Sequence, residues 1–406
     1  MIMKKILLPG FLLVFFACSS KFNSVWYNSV SNVEAFKLES AHNCNNPDYY
    51  HPDSLTQMRY IRMNVHFMDD SSQTRNFSLE EGRKYIKALI KNANDRLSTN
   101  KKMNLPPGNE TPALPTQYRY QISGVDKNDD GFYKHLDNDL YYFVNKGRNK
   151  NHYNRNVIKK YAIGEDSILN IFVMPHHPDS VAATSYKANR NGVALGTSLK
   201  IAGLYETGGK PWEFATLLNH EVGHILGLSH SWVKHDRCDD TPPHPNCWDD
   251  QGDPPCNEHV SNNMMDYNAS QMAITPCQLG IIHKSLNKTG YKTRKLLVKD
   301  WCLLDPSKDI HIDSETHWYG SKDIIHNIVV EEDQILNIYC RISMPENSFI
   351  RLMPGAQLNL HDALIHNDCG RKWKGIELIS SQDKKAVLRN FGESQIIDIH
   401  SEEMSH

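Results

Sequence analysis

The sequence carries little net charge, and after its first twenty residues it has no long apolar run. Its 406 residues include 45 basic and 47 acidic side chains, which leaves a formal net charge of −2 at pH 7. This balance provides no overall field that would favour nucleic acid or an anionic membrane surface as a partner. Because no later apolar run is long enough for a bilayer, we predict no internal membrane-spanning helix. The length leaves room for two or three domains.

The N-terminus has the features of an export signal. A start with two lysines is followed by an apolar run over residues 6–17, and polar residues come after Cys18. This order resembles a bacterial lipoprotein signal over residues 1–18, in which Cys18 would become the lipidated first residue. An ordinary cleaved signal or an uncleaved anchor is the alternative. We therefore expect an exported protein, lipid-anchored to the bacterial cell envelope (outer membrane or cell surface) or otherwise secreted. The polar residues 19–55 predict a tether or a short pro-segment.

One short stretch carries a metal-binding pattern. The residues from His220 to His230 read HEVGHILGLSH, and the apolar spacing just before them predicts a helix. On such a helix His220 and His224 lie one turn apart on the same face, the spacing that two imidazoles need to bind one Zn²⁺. Gly227 allows a sharp turn that returns His230 as a third ligand. Three protein ligands and one open position are typical of a catalytic zinc site, in which Glu221 can act as the general base. The alternative is a buried helix whose histidines are only hydrogen-bonded.

Three further segments extend this pattern into a family resemblance. After the histidine motif come a cysteine-containing CDDTP segment, then NNMMDY, then TPCQLG. Together they resemble the pappalysin/cytophagalysin branch of the metzincin zinc endopeptidases over about residues 212–285, and the likeness extends back to Met58. The resemblance implies that Met265 lies beneath the histidines as the Met-turn methionine. It also implies that Tyr267 helps to stabilise the oxyanion formed during peptide hydrolysis.

A second cation, Ca²⁺, is suggested at two places. Relatives of this kind bind Ca²⁺ near the acidic segment after the histidine motif, and a separate D-x-N-x-D-G pattern fits the first half of a calcium loop. A solvated acidic turn is the alternative for the second place. The candidate calcium ligands are Asp239, Asp240 and Thr241 at the first place, and Asp126, Asn128 and Asp130 at the second.

The residues before position 303 predict an α/β domain with a small sheet. Apolar and alternating runs predict strands over 58–68, 118–125, 168–174 and 191–197, and helical spacing predicts a helix over 78–97 besides the histidine helix. The family resemblance implies that this α/β domain is a metzincin-type catalytic domain over residues 56–302, with a twisted sheet, a backing helix and an active-site helix. The strand at 191–197 is expected to be an edge to which a substrate peptide can add as a further strand.

The character of the sequence changes at Leu303. Short alternating runs are separated by Pro, Gly and Asn from there to the end, which predicts an all-β C-terminal module over residues 303–406. The irregular repeat favours a few coils of a β-solenoid, with a small sandwich as the alternative. Because every catalytic candidate lies earlier, a chain that ends near Pro306 is expected to keep peptidase activity.

The eight cysteines other than Cys18 predict disulfides, because an even number in an exported chain is typical of them. The resemblance implies that the four after the histidine motif pair first with third and second with fourth, whereas spacing alone leaves three pairings open. In the C-terminal module, cysteines on neighbouring coils would lie close enough to pair, with Cys302 as a rival partner. The expected pairs are Cys238–Cys256, Cys247–Cys277, Cys340–Cys369 and, from what then remains, Cys44–Cys302.

The combined hypothesis is a zinc-dependent endopeptidase that acts on a peptide or protein substrate. Zinc acidifies a bound water, Glu221 accepts its proton, and Tyr267 shares the oxyanion charge with the metal. The alternative is a latent or inactive surface protein that binds a partner through its C-terminal module. Cys44 also has an alternative role, as a thiolate that caps the zinc of a latent enzyme.

Overall fold

The computed structural model describes residues 22–400, apart from positions 32, 39, 148, 185, 187 and 188. In this part the chain is a mixed α/β protein with several sheets and few helices. The predicted signal over residues 1–18, with Cys18, lies outside the described residues. A helix with the length and apolar character needed to cross a bilayer is not found in the described part.

The strands and helices are numbered in chain order. The helices are α1 (Leu79–Ser98), α2 (Asn156–Tyr161), α3 (Pro178–Ala182), α4 (Pro211–Ile225), α5 (Pro276–Asn287) and α6 (Lys292–Lys295), with 3₁₀ turns at Pro47–Tyr50 and Asp300–Cys302. The strands of the N-terminal segment and of the α/β part are β1 (Asn23–Tyr27), β2 (Glu34–Phe36), β3 (Arg59–Asp69), β4 (Tyr118–Ile122), β5 (Phe132–Leu136), β6 (Leu169–Met174), β7 (Asn191–Leu195) and β8 (Ser198–Ala202). The C-terminal strands are β9 (Ile310–Ile312), β10 (Thr316–Trp318), β11 (Lys322–Asp323), β12 (Ile328–Val330), β13 (Ile335–Ile338), β14 (Arg341–Ser343), β15 (Phe349–Leu352), β16 (Gln357–His361), β17 (Leu364–His366), β18 (Gly375–Ser380), β19 (Val387–Phe391) and β20 (Gln395–Ile396).

The α/β part is built on one six-stranded sheet. Its order is β4-β3-β6-β8-β7, and β5 pairs with the same edge of β3 as β4, further along that long strand. All pairs are parallel except β7 with β8, so β7 is an antiparallel edge strand. The predicted strands at 58–68, 118–125, 168–174 and 191–197 are confirmed by β3, β4, β6 and β7. The sequence did not predict β5 or β8.

Helix α1 backs this sheet as predicted. Ser78 caps its first turn and exchanges hydrogen bonds with Glu81, which satisfies backbone donors that a helix start leaves free. The helix approaches the sheet closely at Gly82, where a Cβ atom would collide with the ring of Phe67. The apolar face of α1 packs on one side against the sheet and on the other against α4. The sheet and α1 therefore fix the position of α4, which carries the histidine motif.

The C-terminal strands stack in a regular order. Four successive groups of three strands each send one strand to each of three sheets, β9-β12-β15-β18, β10-β13-β16-β19 and β11-β14-β17-β20. Neighbouring strands in all three sheets are parallel and in register, for example Ile310, Ile328, Ile350 and Ile376 in one row. Each row buries its apolar side chains on the next, and this forms a second core separate from that of the α/β part.

The N-terminal segment belongs to this C-terminal stack. Strand β1 pairs antiparallel with β18, and β2 pairs parallel with β19, where the ring of Phe36 stacks on Phe391 with centroids 4.9 Å apart. Without these strands, β18 and β19 would leave rows of unpaired N–H and C=O groups at a sheet edge. The described strands within residues 19–55 therefore belong to the stack and are not a free tether, and the pro-segment role stays a prediction.

Two disulfides join regions that the sequence predicts to be separate. Cys44 bonds to Cys340 and Cys302 bonds to Cys369, with Cα atoms 5.9 Å and 5.8 Å apart. The predicted pairs Cys340–Cys369 and Cys44–Cys302 are therefore wrong. Cys340 follows β13 and Cys369 follows β17, so these two cysteines lie at different corners of the coil rather than one above the other. A disulfide-bonded Cys44 has no free thiolate to offer to zinc, so the latent-enzyme role is also contradicted.

A buried ion cluster connects the two parts as well. The carboxylate of Asp323 in β11 lies 2.6 Å from Arg59 Nη2, 2.8 Å from Arg294 Nη1 and 2.8 Å from Arg341 Nη2. Trp301 lies against the guanidinium groups of Arg59 and Arg294, at 5.0 Å and 4.5 Å from its ring centroid. Arg59 belongs to β3 and Arg341 to β14, so the cluster spans both cores. We therefore describe the α/β part and the stack as one joined unit, in contrast to the separable module expected from the sequence.

Candidate metal centre and active site

Helix α4 presents the first two histidines and then ends in a sharp turn. Its last turns are closed by hydrogen bonds from Leu226 N to Val222 O and from Leu228 N to Gly223 O, both 2.9 Å. Gly227 has a φ of +104°, a region that residues with a Cβ atom avoid. The turn at Gly227 reverses the chain, as expected from the sequence, and carries His230 back toward the helix.

The three histidines converge on one point. Nε2 of His220 and Nε2 of His230 each lie 3.2 Å from Nε2 of His224, and all three atoms lie within 4.8 Å of one another. Bonds of 2.0–2.1 Å to one tetrahedral ion would place such nitrogens roughly 3.3–3.4 Å apart. The observed spacing therefore fits a single small cation.

The protonation state of the three histidine rings also fits a single bound cation. Nδ1 of His220 lies 2.9 Å from Met264 O, and Nδ1 of His224 lies 2.9 Å from Leu228 O. A carbonyl oxygen can only accept, so each Nδ1 carries the proton and each Nε2 offers a lone pair. Burial lowers the pKa of His220 to about 3 and that of His230 to about 4, so the rings are neutral at physiological pH. Lone pairs that face one another in a buried site repel, and a cation would relieve this repulsion.

Met265 lies directly beneath the histidine helix. Its side chain is fully buried, and its sulfur occupies the space that a Cβ atom at Gly223 would need. The backbone oxygen of Met265 accepts a hydrogen bond of 3.2 Å from Ser231 N, the residue after the third histidine. Asn263 fixes the turn by accepting a bond of 2.8 Å from Met265 N at its side-chain oxygen. Met265 thus contacts both helix α4, which carries the first two histidines, and the loop that carries the third.

Glu221 lies between α4 and the edge strand β7. Only 7% of the residue is exposed. Burial raises the pKa of Glu221 to about 7, and the backbone of Ala194 opposes the rise. A Cβ atom at Gly192 would lie 2.7 Å from Oε1 of Glu221, so the strand approaches the carboxyl too closely for a larger residue. Glu221 is not one of the converging ligands, which leaves its carboxyl free for proton transfer.

Tyr267 lies beside the three converging histidines at the surface of the site. Its ring centroid is 5.5 Å from that of His220 and 5.1 Å from that of His230, and 49% of the residue is exposed. Burial of the remainder raises the pKa of Tyr267, and the charge of Glu221 adds to this effect. The phenol therefore keeps its proton and can donate it in a hydrogen bond.

Two contacts at the site were not anticipated from the sequence. The indole of Trp232 stacks on His230 with centroids 4.1 Å apart, and Gln271 Nε2 donates to Met264 O at 3.1 Å. Neither residue type belongs to a metal or proton-transfer pattern, so no chemical signal in the sequence predicts these contacts. For Trp232, the one indication in the sequence of a contact at the site is its position two residues after the third histidine.

The disulfides near the site differ from the expected pairs. Cys238 bonds to Cys277 and Cys247 bonds to Cys256, so the predictions Cys238–Cys256 and Cys247–Cys277 are wrong. The reason lies at the start of α5, where the carboxylate of Asp240 accepts hydrogen bonds from Thr275 Oγ1 at 2.7 Å and Cys277 N at 3.0 Å. These bonds bring the segment of Cys238 onto α5, and the short loop between the other two cysteines closes on itself.

The candidate calcium ligands have other partners. Asp240 bonds to the start of α5, Thr241 Oγ1 donates to Asp236, and Asp239 is exposed. In the second place, Asp126 accepts from Asn128 N at 2.8 Å, and Asp130 pairs with Arg83 at 2.5 Å. Of the four aspartates among these candidates, all within the described residues, only Asp240 belongs to a group of converging ligand atoms, together with the bonded cysteines 238 and 277. Calcium binding at either place stays a prediction.

Comparisons with known proteins identify structural similarity only. No protein-family model matches the chain, and no curated protein matches it. Among solved structures, a mirolysin in complex with compound 9 has a TM-score of 0.42 and 17% identity, over 59% of this chain and 96% of that chain. Tannerella forsythia mature mirolysin in complex with a cleaved peptide has the same TM-score and identity, over 60% of this chain and 96% of that chain. A Tannerella forsythia promirolysin mutant has a TM-score of 0.41 and 17% identity, over 62% of this chain and 88% of that chain.

Proposed function

We propose that the chain is a zinc-dependent endopeptidase of metzincin type. The observation that carries the proposal is the convergence of three neutral imidazole nitrogens, with His220 and His230 each 3.2 Å from His224. A buried carboxyl beside them, that of Glu221, favours hydrolysis over a purely structural metal site. A surface protein that only bound a partner through its β strands would have no use for this carboxyl.

Zinc and Glu221 would divide the chemistry. An ion held by His220, His224 and His230 would supply Lewis acidity, both to acidify water and to polarise a peptide carbonyl. Glu221 would take the proton from the attacking water and deliver it to the leaving amine. Its raised pKa of about 7 suits a group that must act first as a base and then as an acid.

The substrate would lie along β7. In the described part of the chain, the outer edge of this strand has no strand partner, so a peptide can add to it through backbone hydrogen bonds. The carboxyl of Glu221 lies against Gly192 of the same strand, which would bring it close to the scissile bond. The Tyr267 hydroxyl would donate a hydrogen bond to the oxyanion as the carbonyl carbon becomes tetrahedral.

Paired variants test metal binding and proton transfer separately. His224→Ala should lose both zinc and hydrolysis, whereas Glu221→Ala should keep zinc and lose hydrolysis, because it removes the base and not a ligand. Zinc would be measured by elemental analysis after dialysis, and hydrolysis with casein. His235→Ala, an exposed histidine of the same loop region, is the control and should change neither. Full zinc retention in His224→Ala would contradict the ligand assignment, and casein cleavage at the wild-type rate by Glu221→Ala would contradict the general base.

We also propose export and lipid anchoring through Cys18. The proposal rests on the sequence of residues 1–18, and the four disulfides of the described part support an oxidising compartment. Cys18→Ala should abolish labelling with radioactive palmitate in growing cells and release the protein into the soluble fraction. Unchanged membrane association would instead favour a plain hydrophobic anchor.

A further inference from the structure

The three converging histidines are held in two different ways. Nδ1 of His220 and Nδ1 of His224 each lie 2.9 Å from a backbone carbonyl oxygen. Within the described part of the chain, Nδ1 of His230 has no such partner. Its ring lies instead on the indole of Trp232, with centroids 4.1 Å apart and the planes inclined by only 12°. A hydrogen bond from the second ring nitrogen ordinarily sets the orientation of a metal-ligating histidine. For His230 the stacked indole is the contact that can set it.

The same indole contacts Tyr267. The two ring centroids lie 4.7 Å apart at an angle of 55°, and the Tyr267 ring lies 5.1 Å from that of His230. Aromatic rings at these distances and tilts attract one another beyond the area that they bury. Trp232 therefore touches both a ligand of the metal centre and the tyrosine beside it.

Loop geometry makes this contact important for His230. His220 and His224 are rigidly placed on α4, but His230 follows the turn at Gly227 and lies outside any helix or strand. An imidazole on a loop can rotate about its χ1 and χ2 angles unless neighbours block it. A flat indole against one face blocks rotation while leaving the edge that carries Nε2 free to point at His224.

We propose that Trp232 is the positioning residue of this site, which orients the third ligand, His230, and the oxyanion residue, Tyr267, through one stacked contact. The proposal rests on the proposed zinc peptidase function. A flat ring is the property that matters, so phenylalanine should replace tryptophan well, and a side chain of similar apolar character without a ring should not.

The experiment measures zinc affinity of the metal-free protein in competition with a chromophoric chelator. Trp232→Ala and Trp232→Leu should bind zinc roughly 10–100-fold more weakly, the usual range for loss of an outer partner of a ligating histidine. Trp232→Phe should stay within about threefold of wild type, because it keeps a stacking ring. Trp212→Ala is the matched control, since Trp212 is 53% exposed on the first turn of α4, and it should bind zinc as wild type does.

Turnover supplies the second measurement. With zinc held at saturation, Trp232→Leu should still lower kcat on a fluorogenic peptide, roughly 10-fold or more, because Tyr267 is no longer held as an oxyanion donor. If Trp232→Ala does not fold, the Phe and Leu variants give the same comparison. Wild-type affinity in Trp232→Leu, or equal weakening in Trp232→Phe and Trp232→Leu, would overturn the positioning role while leaving the peptidase proposal intact. Failure of the wild-type chain to bind zinc would overturn both.

Discussion

Replacing Asp323 by Asn tests how firmly the C-terminal stack is joined to the α/β part. The Asp323 side chain has no exposed surface and lies within 2.8 Å of guanidinium nitrogens of Arg59, Arg294 and Arg341. Asn keeps the shape but removes the charge that these three cations share. Breaking a buried ion cluster by neutralising one member costs about 3–5 kcal/mol, because the remaining charges are left uncompensated. Since Asp368 still pairs with Arg294 at 2.7 Å, we expect the lower end, about 3 kcal/mol.

Urea unfolding followed by tryptophan fluorescence measures this loss. Trp301 is 1% exposed and lies 4.5 Å from the Arg294 guanidinium, so its emission reports on the joined region. For a chain of 406 residues the unfolding free energy falls by about 3 kcal/mol or more per molar urea, so a loss of about 3 kcal/mol should lower the midpoint by roughly 1 M or less. Asp333→Asn, which removes an exposed carboxylate paired with Lys384, is the control and should leave the midpoint unchanged. An Asp323→Asn midpoint equal to that of wild type would refute the view that this cluster joins the two parts.

The contribution of Asp323 to the free energy of unfolding should change with pH in a definite direction. Burial alone would raise the pKa of Asp323, but the charges of Arg341, Arg59 and Arg294 outweigh it and hold the pKa well below its usual range. Its contribution to the free energy of unfolding is therefore complete above the unfolded pKa of about 3.9 and is lost as the pH falls toward the folded pKa. The stability difference between wild type and Asp323→Asn should accordingly shrink below about pH 4. A difference that grew in acid would contradict the depressed pKa.

The active site and the N-terminal disulfide give three more expected outcomes. Gly192→Ala sets a methyl group 2.7 Å from Oε1 of Glu221, so casein hydrolysis should fall roughly 100-fold with zinc content unchanged in elemental analysis. Tyr267→Phe should lower kcat on a fluorogenic peptide roughly 10–1000-fold, the range for loss of one oxyanion donor, and an unchanged kcat would count against this role. Non-reducing peptide mapping should recover Cys44 joined to Cys340, and a Cys44→Ser/Cys340→Ser variant should unfold about 2–5 kcal/mol more easily in urea. Recovery of Cys44 as a free thiol would refute that bond.

Local patterns were sufficient for the elements around the site. The run predicted at 58–68 is β3, and the helix predicted at 78–97 is α1 with its Ser78 cap, because periodicity and capping are properties of neighbouring residues. Strand β8 was missed since its centre is Lys200, an unusual residue for a buried strand. The structure buries this lysine to 2% exposure and bonds its ammonium group to Asn151 O at 3.0 Å. A polar residue satisfied by a distant carbonyl cannot be recognised from the strand alone.

Pairings between distant segments could not be predicted in this way. Which cysteines meet depends on which corners of the stack and which helix ends come together, and no periodicity within a segment encodes this. The same holds for β1 and β2, which are too short to show a periodicity and which pair with the edges of β18 and β19. The three histidines and Glu221 were predictable because a helix and one glycine turn fix their spacing within eleven residues.

Three residues of the site lie in a segment that has little regular structure. Between the end of α4 and the start of α5 the described chain has no helix or strand, yet it carries His230, Met265 and Tyr267. This long segment is fixed by bonds to α5, through two reciprocal amide hydrogen bonds of 2.9 Å and 3.0 Å between Asn263 and Gln278. The disulfide from Cys238 to Cys277 and the bonds of Asp240 attach its other end to the same helix turn.

The position of helix α5 therefore determines how the residues of this segment face the histidines of α4. Asn263 bonds at once to Gln278 and to the backbone of Met265, so a shift of α5 would be passed to the floor of the metal centre without any change in α4. Protein interiors are packed too densely to absorb such a shift locally. The geometry of His230 and of the tyrosine beside it thus depends on two helices and their connecting bonds, rather than on the histidine motif by itself.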